Sequence, residues 1–339
     1  VNRSTDRPVE NAHQAGDVPP CDEFAVIRDL FAPLTRGDPG AFDLTDDAAL
    51  INVPDGQELV VTADAMSAGT HFRIEDPPDL IGRKLLRVNL SDLAGKGATP
   101  VSYLLTCAWP EDITRSWIER FVGGLALDQT QYEIHVIGGD TISTHGPMSL
   151  SLTAFGYVKK GKMLLRSGAG AGDMLYISGT IGDAGLGLKL LTGELDCRND
   201  QYKDVLIDRY QLPQPRTQLG PKLLDLATAC LDVSDGLVAD AGHMAAASGL
   251  GLRIELEKVP FCHAARAVMT DPVSLLGAGD DYELLFAMPP DRQDQVQQIS
   301  AALNIALTPI GQAIEGEGVE VVDARGNPVA IEQAGYRHF

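Results

Sequence analysis

The stretch Asp79–Gly95, DLIGRKLLRVNLSDLAG, runs an apolar stripe into a carboxylate. Ile81, Leu85 and Val88 recur at i, i+4 and i+7, the spacing of one helix face. Asp92 comes round to within about 20° of the same line at 3.6 residues per turn. The face that must bury itself therefore ends in an acid. A buried, unpaired carboxylate costs several kcal/mol or takes up a proton. A cation at that end removes the conflict.

Such a helix needs a sheet to cover it, and its flanks supply strands. Upstream, a short helix is expected over 23–31. Two β-rich runs follow at 48–53 and 58–62, joined by the hairpin-grade turn Pro54-Asp55-Gly56. Downstream, strands are expected over 101–109, 134–137 and 148–158, with a helix over 117–127. Strands interleaved with helices imply an α+β half with its helices on one sheet face. The Lys- and Gly-rich run 159–172 reads as a connector. Beyond it come strands at 174–178, 230–233 and 282–286 and helices at 184–191, 216–229, 236–247 and 291–303, a second mixed α/β half. No short-period repeat is visible. The expected division is a mobile tail over 1–20, an N-terminal domain over 21–160 and a C-terminal domain over 161–339.

Asp92 has company. Aspartates recur at Asp46-Asp47, Thr62-Ala63-Asp64, Gly138-Gly139-Asp140-Thr141, Asp232-Val233-Ser234-Asp235 and Gly279-Asp280-Asp281, mostly where an apolar run ends. Each has an ordinary reading: a solvated turn, a strand terminus, a helix cap before Gly236. His71 alone reads as loop filler and Arg166 as a linker charge. Together they point to a site for hard, oxygen-loving cations such as Mg²⁺. A hydroxyl beside a carboxylate, as in Thr62 and Asp64, is one way phosphate sites hold that ion. The Gly138-Gly139 pair would let backbone N–H groups approach a phosphate.

The 339 residues suggest two domains. A net charge of −20 argues against nucleic acid and anionic membrane surfaces as partners. An anionic small substrate needs metal ions, Arg or Lys to reverse the local field. Five widely spaced cysteines, with no CxxC pair, argue against a disulfide framework or structural zinc, so a cytoplasmic setting is expected. No segment has the apolar core of a signal peptide or the length of a membrane span. There is no GxxxxGK[ST] P-loop, and Gly168-Ala169-Gly170-Ala171-Gly172 precedes a strand rather than following one. The protein-kinase set is also missing.

The motifs LTDDAAL (44–50), VTADAMSAGTHF (61–72), RVNLSDLAGKGATP (87–100), VIGGDT (136–141), RSGAGAGDMLYISGTIGDAGLGL (166–188), LDVSDGL (231–237) and GDDYELLF (279–286) resemble, in order, the thiamine-monophosphate kinase family. The ending GYRHF (335–339) is similar to that family's as well. The family shares a fold with aminoimidazole ribonucleotide synthetase, selenophosphate synthetase and a hydrogenase-maturation protein. The resemblance implies a two-domain α+β protein of the aminoimidazole ribonucleotide synthetase-like fold. It implies a homodimer paired through the N-terminal sheets, with ATP and several Mg²⁺ ions between the domains near that interface. Carried over by position, Asp46, Thr62, Ala63 (through its backbone), Asp64, Asp92, Asp140, Asp232 and Asp235 match metal positions. Gly139, Asp140, Arg166 and Ser234 match nucleotide contacts. His71, Asp280 and Tyr336 match positions near thiamine monophosphate.

Three departures stand out. Thr45 replaces a usual Gly, Ala63 a usual Thr, and Asp280 a usual Glu. The implied reaction is phosphorylation of thiamine monophosphate to thiamine diphosphate by direct transfer. A phosphate monoester is already mostly dianionic at neutral pH, so no covalent nucleophile or general base of the protein is expected. The rivals are another ATP-dependent member of the superfamily and a non-enzymatic nucleotide-binding assembly factor. Cys21 lacks the Gly-rich surroundings of a selenophosphate synthetase, and the chain ends without a thiol.

Overall fold

The computed structural model describes residues 22–336. The tail expected over 1–20, Cys21 and the residues from Arg337 onward lie outside the described residues. Helix α1 (Glu23–Val26) continues as a wider turn through Ile27–Phe31, which matches the helix expected there. The chain then runs through two short 3-10 turns, Ala32–Thr35 and Pro39–Leu44.

The first sheet has strands β1 (Gln57–Ser67), β2 (Thr99–Pro110), β3 (His135–Thr144) and β4 (Ser149–Lys159) in the order β1-β4-β2-β3. β4 pairs antiparallel with β1 and β2, while β2 and β3 are parallel. Helices α2 (Pro78–Gly95) and α3 (Arg115–Tyr132) cover one face, and Thr114 caps α3. Leu85, Leu90, Leu93, Tyr103, Phe121, Leu125, Leu150 and Leu152 fill the layer between.

Three sequence expectations fail here. Residues 48–53 form no strand. The turn at Gly56 leads into β1, which takes β4 as its partner instead, with Gln57 N bonded to Pro54 O and Lys160 N to Gly56 O. A β-like pattern does not choose its own partner. Thr62-Ala63-Asp64 lies inside β1 rather than at its end, because pairing with β4 continues to Ser67. Gly138-Gly139-Asp140-Thr141 lies inside β3 rather than in a turn. There the glycine serves packing. Gly139 has φ +153°, and a Cβ on it would meet Leu105 O at 1.8 Å, beside a register shift at Tyr103/Leu104.

The second sheet has six strands, β5 (Met174–Ser178), β6 (Ala229–Val233), β7 (Gly251–Glu255), β8 (Glu283–Met288), β9 (Leu307–Ile314) and β10 (Gly318–Val322). Their order is β10-β7-β9-β5-β8-β6. All are antiparallel to their neighbours except β10 with β7. Helices α4 (Asp183–Thr192), α5 (Asp200–Gln211), α6 (Leu237–Ser248), α7 (His263–Val268), α8 (Pro272–Leu275) and α9 (Gln293–Leu303) complete this half. Both faces of the central strands are covered, so β8 is buried throughout. The helix expected over 216–229 is absent. Pro221 falls inside it, and the segment keeps a single 3-10 turn at Gly220–Leu223.

Helix α2 belongs to both halves. Its Ile81–Leu85–Val88 side packs on the first sheet, and the helix also touches β6, β8 and α5. A second line, Lys84, Arg87, Ser91 and Gly95, faces the other half. Lys84 reaches Asp280, Arg87 donates to Pro213 O, Ser91 donates to Asp232, and Gly95 lies against the Asp232 backbone. A helix with two partners is buried nearly all round, and α2 is.

Candidate functional site

The seam between the halves gathers the acids. Thr62 and Asp64 point from β1 toward α2, because alternation on the strand puts them on the side of Val60 and Met66. Asp92 sits on the last turn of α2, where the stripe ends. Thr62 Oγ1 donates a hydrogen bond to Asp92 Oδ2. Asp232 leaves β6 with its carboxyl held by Ser91 Oγ at 2.7 Å. Three residues later, Asp235 lies with Asp240 and His243, their ligand atoms within 4.8 Å of one another. Asp240 is engaged as a turn anchor, accepting from the N–H groups of Ser234, Asp235 and Gly236 at 3.0, 3.0 and 3.2 Å.

Crowding shows in the proton affinities. Burial, then the charges of Asp92 and Asp235, push the Asp64 carboxyl up to about 6. Burial and Asp92 push Asp232 up to about 8, against the Ser91 hydrogen bond. Burial and Asp235 push Asp240 up to about 7. Lys96 is the nearby ammonium. Burial lowers its pKa, the Asp232 and Asp92 charges raise it again, and Arg166 lies close enough to oppose them. Lys96 Nζ also meets Cys230 O at 3.4 Å.

Beside this cluster is a second set. Lys84 Nζ bonds Asp280 Oδ2 at 3.0 Å and His71 O at 3.3 Å. His71 Nδ1 accepts from Ser67 N at 3.0 Å. Tyr282 OH donates to Asp280 Oδ1 at 3.3 Å. Burial, then Asp280, Asp64 and Asp232, hold the Tyr282 phenol well above its ordinary value, so this ring stands between the two sets. Asp280 and Tyr282 both take left-handed backbone, φ +70° and +52°, a strain that residues with a Cβ bear only when their surroundings impose it. Asp280 N bonds Ser234 O, Tyr282 N bonds Val233 O, and the buried Asp281 carboxyl accepts from Gly182 N at the start of α4. The SGTIGD segment thus braces this turn. Tyr336 N reaches Asp235 O at 3.0 Å, which brings Tyr336 to the same place.

Three of the expected residues lie elsewhere. Asp46, Gly139 and Asp140 line a cavity of about 640 Å³ on the outer face of the first sheet, with Thr106, Phe155 and Ile27. In register, Ala65, Ser151, Thr106 and Asp140 form one row across that face. β1 and β3 are opposite edges of the sheet. Asp140 is therefore about 14 Å across from β1, three strand spacings, and on the face turned away from Asp64. Ala63 faces outward too, exposed between Thr62 and Asp64. So the chain unites Thr62, Asp64, Asp92, Arg166, Asp232, Ser234 and Asp235, places His71, Asp280 and Tyr336 alongside, leaves Asp46, Gly139 and Asp140 apart, and turns the Ala63 side chain to the outer face.

Sequence reasoning missed Lys84, Ser91, Lys96, Tyr282 and Asp240 as members of this region. Ser91 and Lys84 were detectable as polar residues on a second buried line of α2. Asp240 carried no local signal.

The inner donor set is carboxylate and hydroxyl oxygen, with burial that disfavours bare charge. That chemistry fits Mg²⁺, and Thr62, Asp64, Asp92, Asp232 and Asp235 would hold it.

Comparison with known proteins agrees with this architecture. The family model for AIR synthase related protein, N-terminal domain, matches residues 45–158, and that for the C-terminal domain matches 170–324. The chain is thus an AIR synthase related protein, with the two-domain fold of that class. A thiamine-monophosphate kinase of Caulobacter vibrioides is 41% identical over 326 residues, 94% of this chain and 91% of that protein. The crystal structure of thiamine-monophosphate kinase from Stenotrophomonas maltophilia K279a superposes with a TM-score of 0.80 at 38% identity, covering 91% of this chain and 98% of the other. The structure of AaThiL complexed with AMPPCP and TMP gives 0.75 at 32%, covering 94% and 97%. The chain belongs to the thiamine-monophosphate kinase family.

Proposed function

We propose that this protein transfers the terminal phosphoryl group of ATP to thiamine monophosphate, giving ADP and thiamine diphosphate. The observation that carries the reading is the meeting of Thr62, Asp64, Asp92, Asp232 and Asp235 at one seam, with His71 and Asp280 beside it. The relatives support it, since the solved complex of AaThiL holds an ATP analogue and TMP.

Two polyanions must meet. Unit charges about 4 Å apart repel by roughly 4 kcal/mol at an effective dielectric near 20. Thr62, Asp64, Asp92, Asp232 and Asp235 would hold Mg²⁺, which would supply the neutralising charge. Arg166, near Lys96, donates to the nucleotide phosphates, and the Ser234 turn contacts them too. His71, Asp280 and Tyr336 orient the acceptor. An oxygen of the acceptor phosphate attacks the terminal phosphorus in line. The bond to the bridging oxygen breaks, and ADP leaves with its electron pair. No protein group takes the phosphoryl or abstracts a proton. Phospho-aspartate trapped in a single turnover would refute that.

The proposal includes a homodimer formed by the outer faces of the first sheets. Exposed Val61 and Ile142 on that face favour pairing. A second copy also gives Asp46, Gly139 and Asp140 a counterpart that one chain lacks. With it goes the division of the chain into domains 21–160 and 161–339, and a cytoplasmic setting. Among the described residues no helix is long and apolar enough to cross a membrane.

The test is incubation with ATP, Mg²⁺ and thiamine monophosphate, then chromatography for thiamine diphosphate, with thiamine as control. Diphosphate should form from the monophosphate alone. Its absence would reject the reading.

A further inference from the structure

We infer that Lys84 is a positioning residue of the acceptor site, one that presets Asp280 and the His71 loop before thiamine monophosphate arrives. The inference rests on the function proposed above and adds a residue to it. Lysine is seldom buried without a partner, yet the Lys84 side chain is only 4% exposed. Its ammonium has three N–H groups. It has three neighbours: Asp280 Oδ2 at 3.0 Å, His71 O at 3.3 Å and the Tyr210 ring, 3.8 Å to the centroid. Two N–H groups are hydrogen-bonded and the Tyr210 ring covers the ammonium from another side, so the buried Lys84 acts through what it holds.

What it holds is open to a ligand. The Asp280 side chain is 32% exposed. Lys84 takes one of its oxygens and Tyr282 OH the other. A carboxylate has about four lone-pair directions, so roughly two remain, at fixed orientation. The left-handed φ of Asp280 adds to the evidence that this carboxylate is held in place. An acceptor bearing a cationic thiazolium ring and an amine-bearing ring offers such an oxygen both charge and donors. Lys84 comes from α2, His71 from the loop after β1, Tyr210 from α5 and Asp280 from the turn before β8. One ammonium thus ties both halves together where the acceptor is proposed to lie.

The test is steady-state kinetics of the full-length protein, varying thiamine monophosphate and ATP separately, with thermal melting alongside. Lys84→Met should raise KM for thiamine monophosphate about tenfold or more, with kcat and KM for ATP within about threefold. A merely structural role would not separate the two substrates in this way. Asp280→Asn should raise the same KM, and Lys84→Met in that background should add less than about twofold, since both act through one contact. Wild-type turnover with an unchanged KM for thiamine monophosphate in a folded Lys84→Met would overturn the inference alone. So would an equal rise in KM for ATP. A wild-type protein that makes no thiamine diphosphate would remove the functional reading, and this inference with it. If Lys84→Met loses its cooperative melting transition, Asp280→Asn decides: a raised KM supports the inference and an unchanged one overturns it.

Discussion

Two groups of acids sit on opposite sides of the first sheet. The inner group, Asp64, Asp92, Asp232 and Asp235, lies at the seam with the second half and is assembled by a single chain. The outer group, Asp46 and Asp140, lines an open cavity on the far face. The inner acids are crowded and partly buried, and Asp64 and Asp232 among them are raised in proton affinity. The outer ones are exposed, and Asp140 Oδ1 accepts from the next backbone N–H, as a solvated turn acid would. Motifs of the same family resemblance thus fall into two physical classes. The first is gathered within one copy, and we propose that it holds a cation. The second lies open on the far face, and we propose that a second copy covers it.

Asp92→Asn probes the inner group hardest. Losing one of several converging charges should lower turnover by about a thousandfold or more, equivalent to several kcal/mol of charge stabilisation. The melting temperature should hold or rise, because Asp92 repels both Asp64 and Asp232 in the metal-free chain. A variant that unfolds instead would make Asp92 structural and dissolve the distinction between the two groups.

Asp140→Asn probes the outer group. It should cost about a hundredfold in activity, within the range for removing one group that stabilises transferring charge. Melting should be unaffected, since an exposed surface acid carries little of the fold. If two copies share the outer face, Ile142→Lys should shift the protein toward monomer in sedimentation and lower activity with it. Full activity in a monomeric Ile142→Lys would separate the outer face from the chemistry.

The inner group was the more legible of the two, for a reason visible in α2. The stripe Ile81, Leu85, Val88 and Asp92 is local, so periodicity alone exposes the acid at its end. The opposite line, Lys84, Arg87 and Ser91, was not read, because its partners Asp280, Pro213 and Asp232 are 196, 126 and 141 residues away. Pairing is equally non-local in the sheet. Gly138-Gly139 looks like a phosphate turn until β2 is laid beside it, when the missing Cβ proves to make room for Leu105 O. The failed strand at 48–53 has the same cause. Local pattern names a kind of element, and tertiary contact decides whether it forms.

Ser91→Ala is a smaller probe. The hydroxyl fixes the buried Asp232 carboxyl at 2.7 Å and favours its ionised form. Its loss should weaken Mg²⁺ binding about tenfold near neutral pH, the scale for groups that orient a metal ligand. The deficit should shrink only as pH rises well past about 8, the value Asp232 has with the Ser91 bond in place, because without that bond it ionises later still. Calorimetric titration at two pH values would show it, and a pH-independent deficit would count against the orienting role.

The smallest effect expected is on stability without metal. Asp64, Asp240 and Asp232 have folded values of about 6, 7 and 8, against 3.8 for an ordinary aspartate. At pH below 3.8 all three are protonated in both states, and their contribution to stability is fully present. As pH rises the unfolded chain loses these protons first, while the folded chain keeps them until its own values are passed. The folded state therefore binds more protons across the window, and stability falls as pH rises from about 4 to 8. Mg²⁺ should reverse the loss, because it replaces those protons. Melting of chelated protein should drop by several °C between pH 5 and 8, at about 2–4 °C per kcal/mol for domains of this size. Added Mg²⁺ should raise it at pH 8 and do little at pH 5. Asp64→Asn should flatten the slope below about pH 6, since it removes the carboxyl that titrates first in the folded chain. A slope of opposite sign, or an equal Mg²⁺ effect at both pH values, would mean that the inner acids are not the crowded, cation-seeking set that separates them from the outer pair.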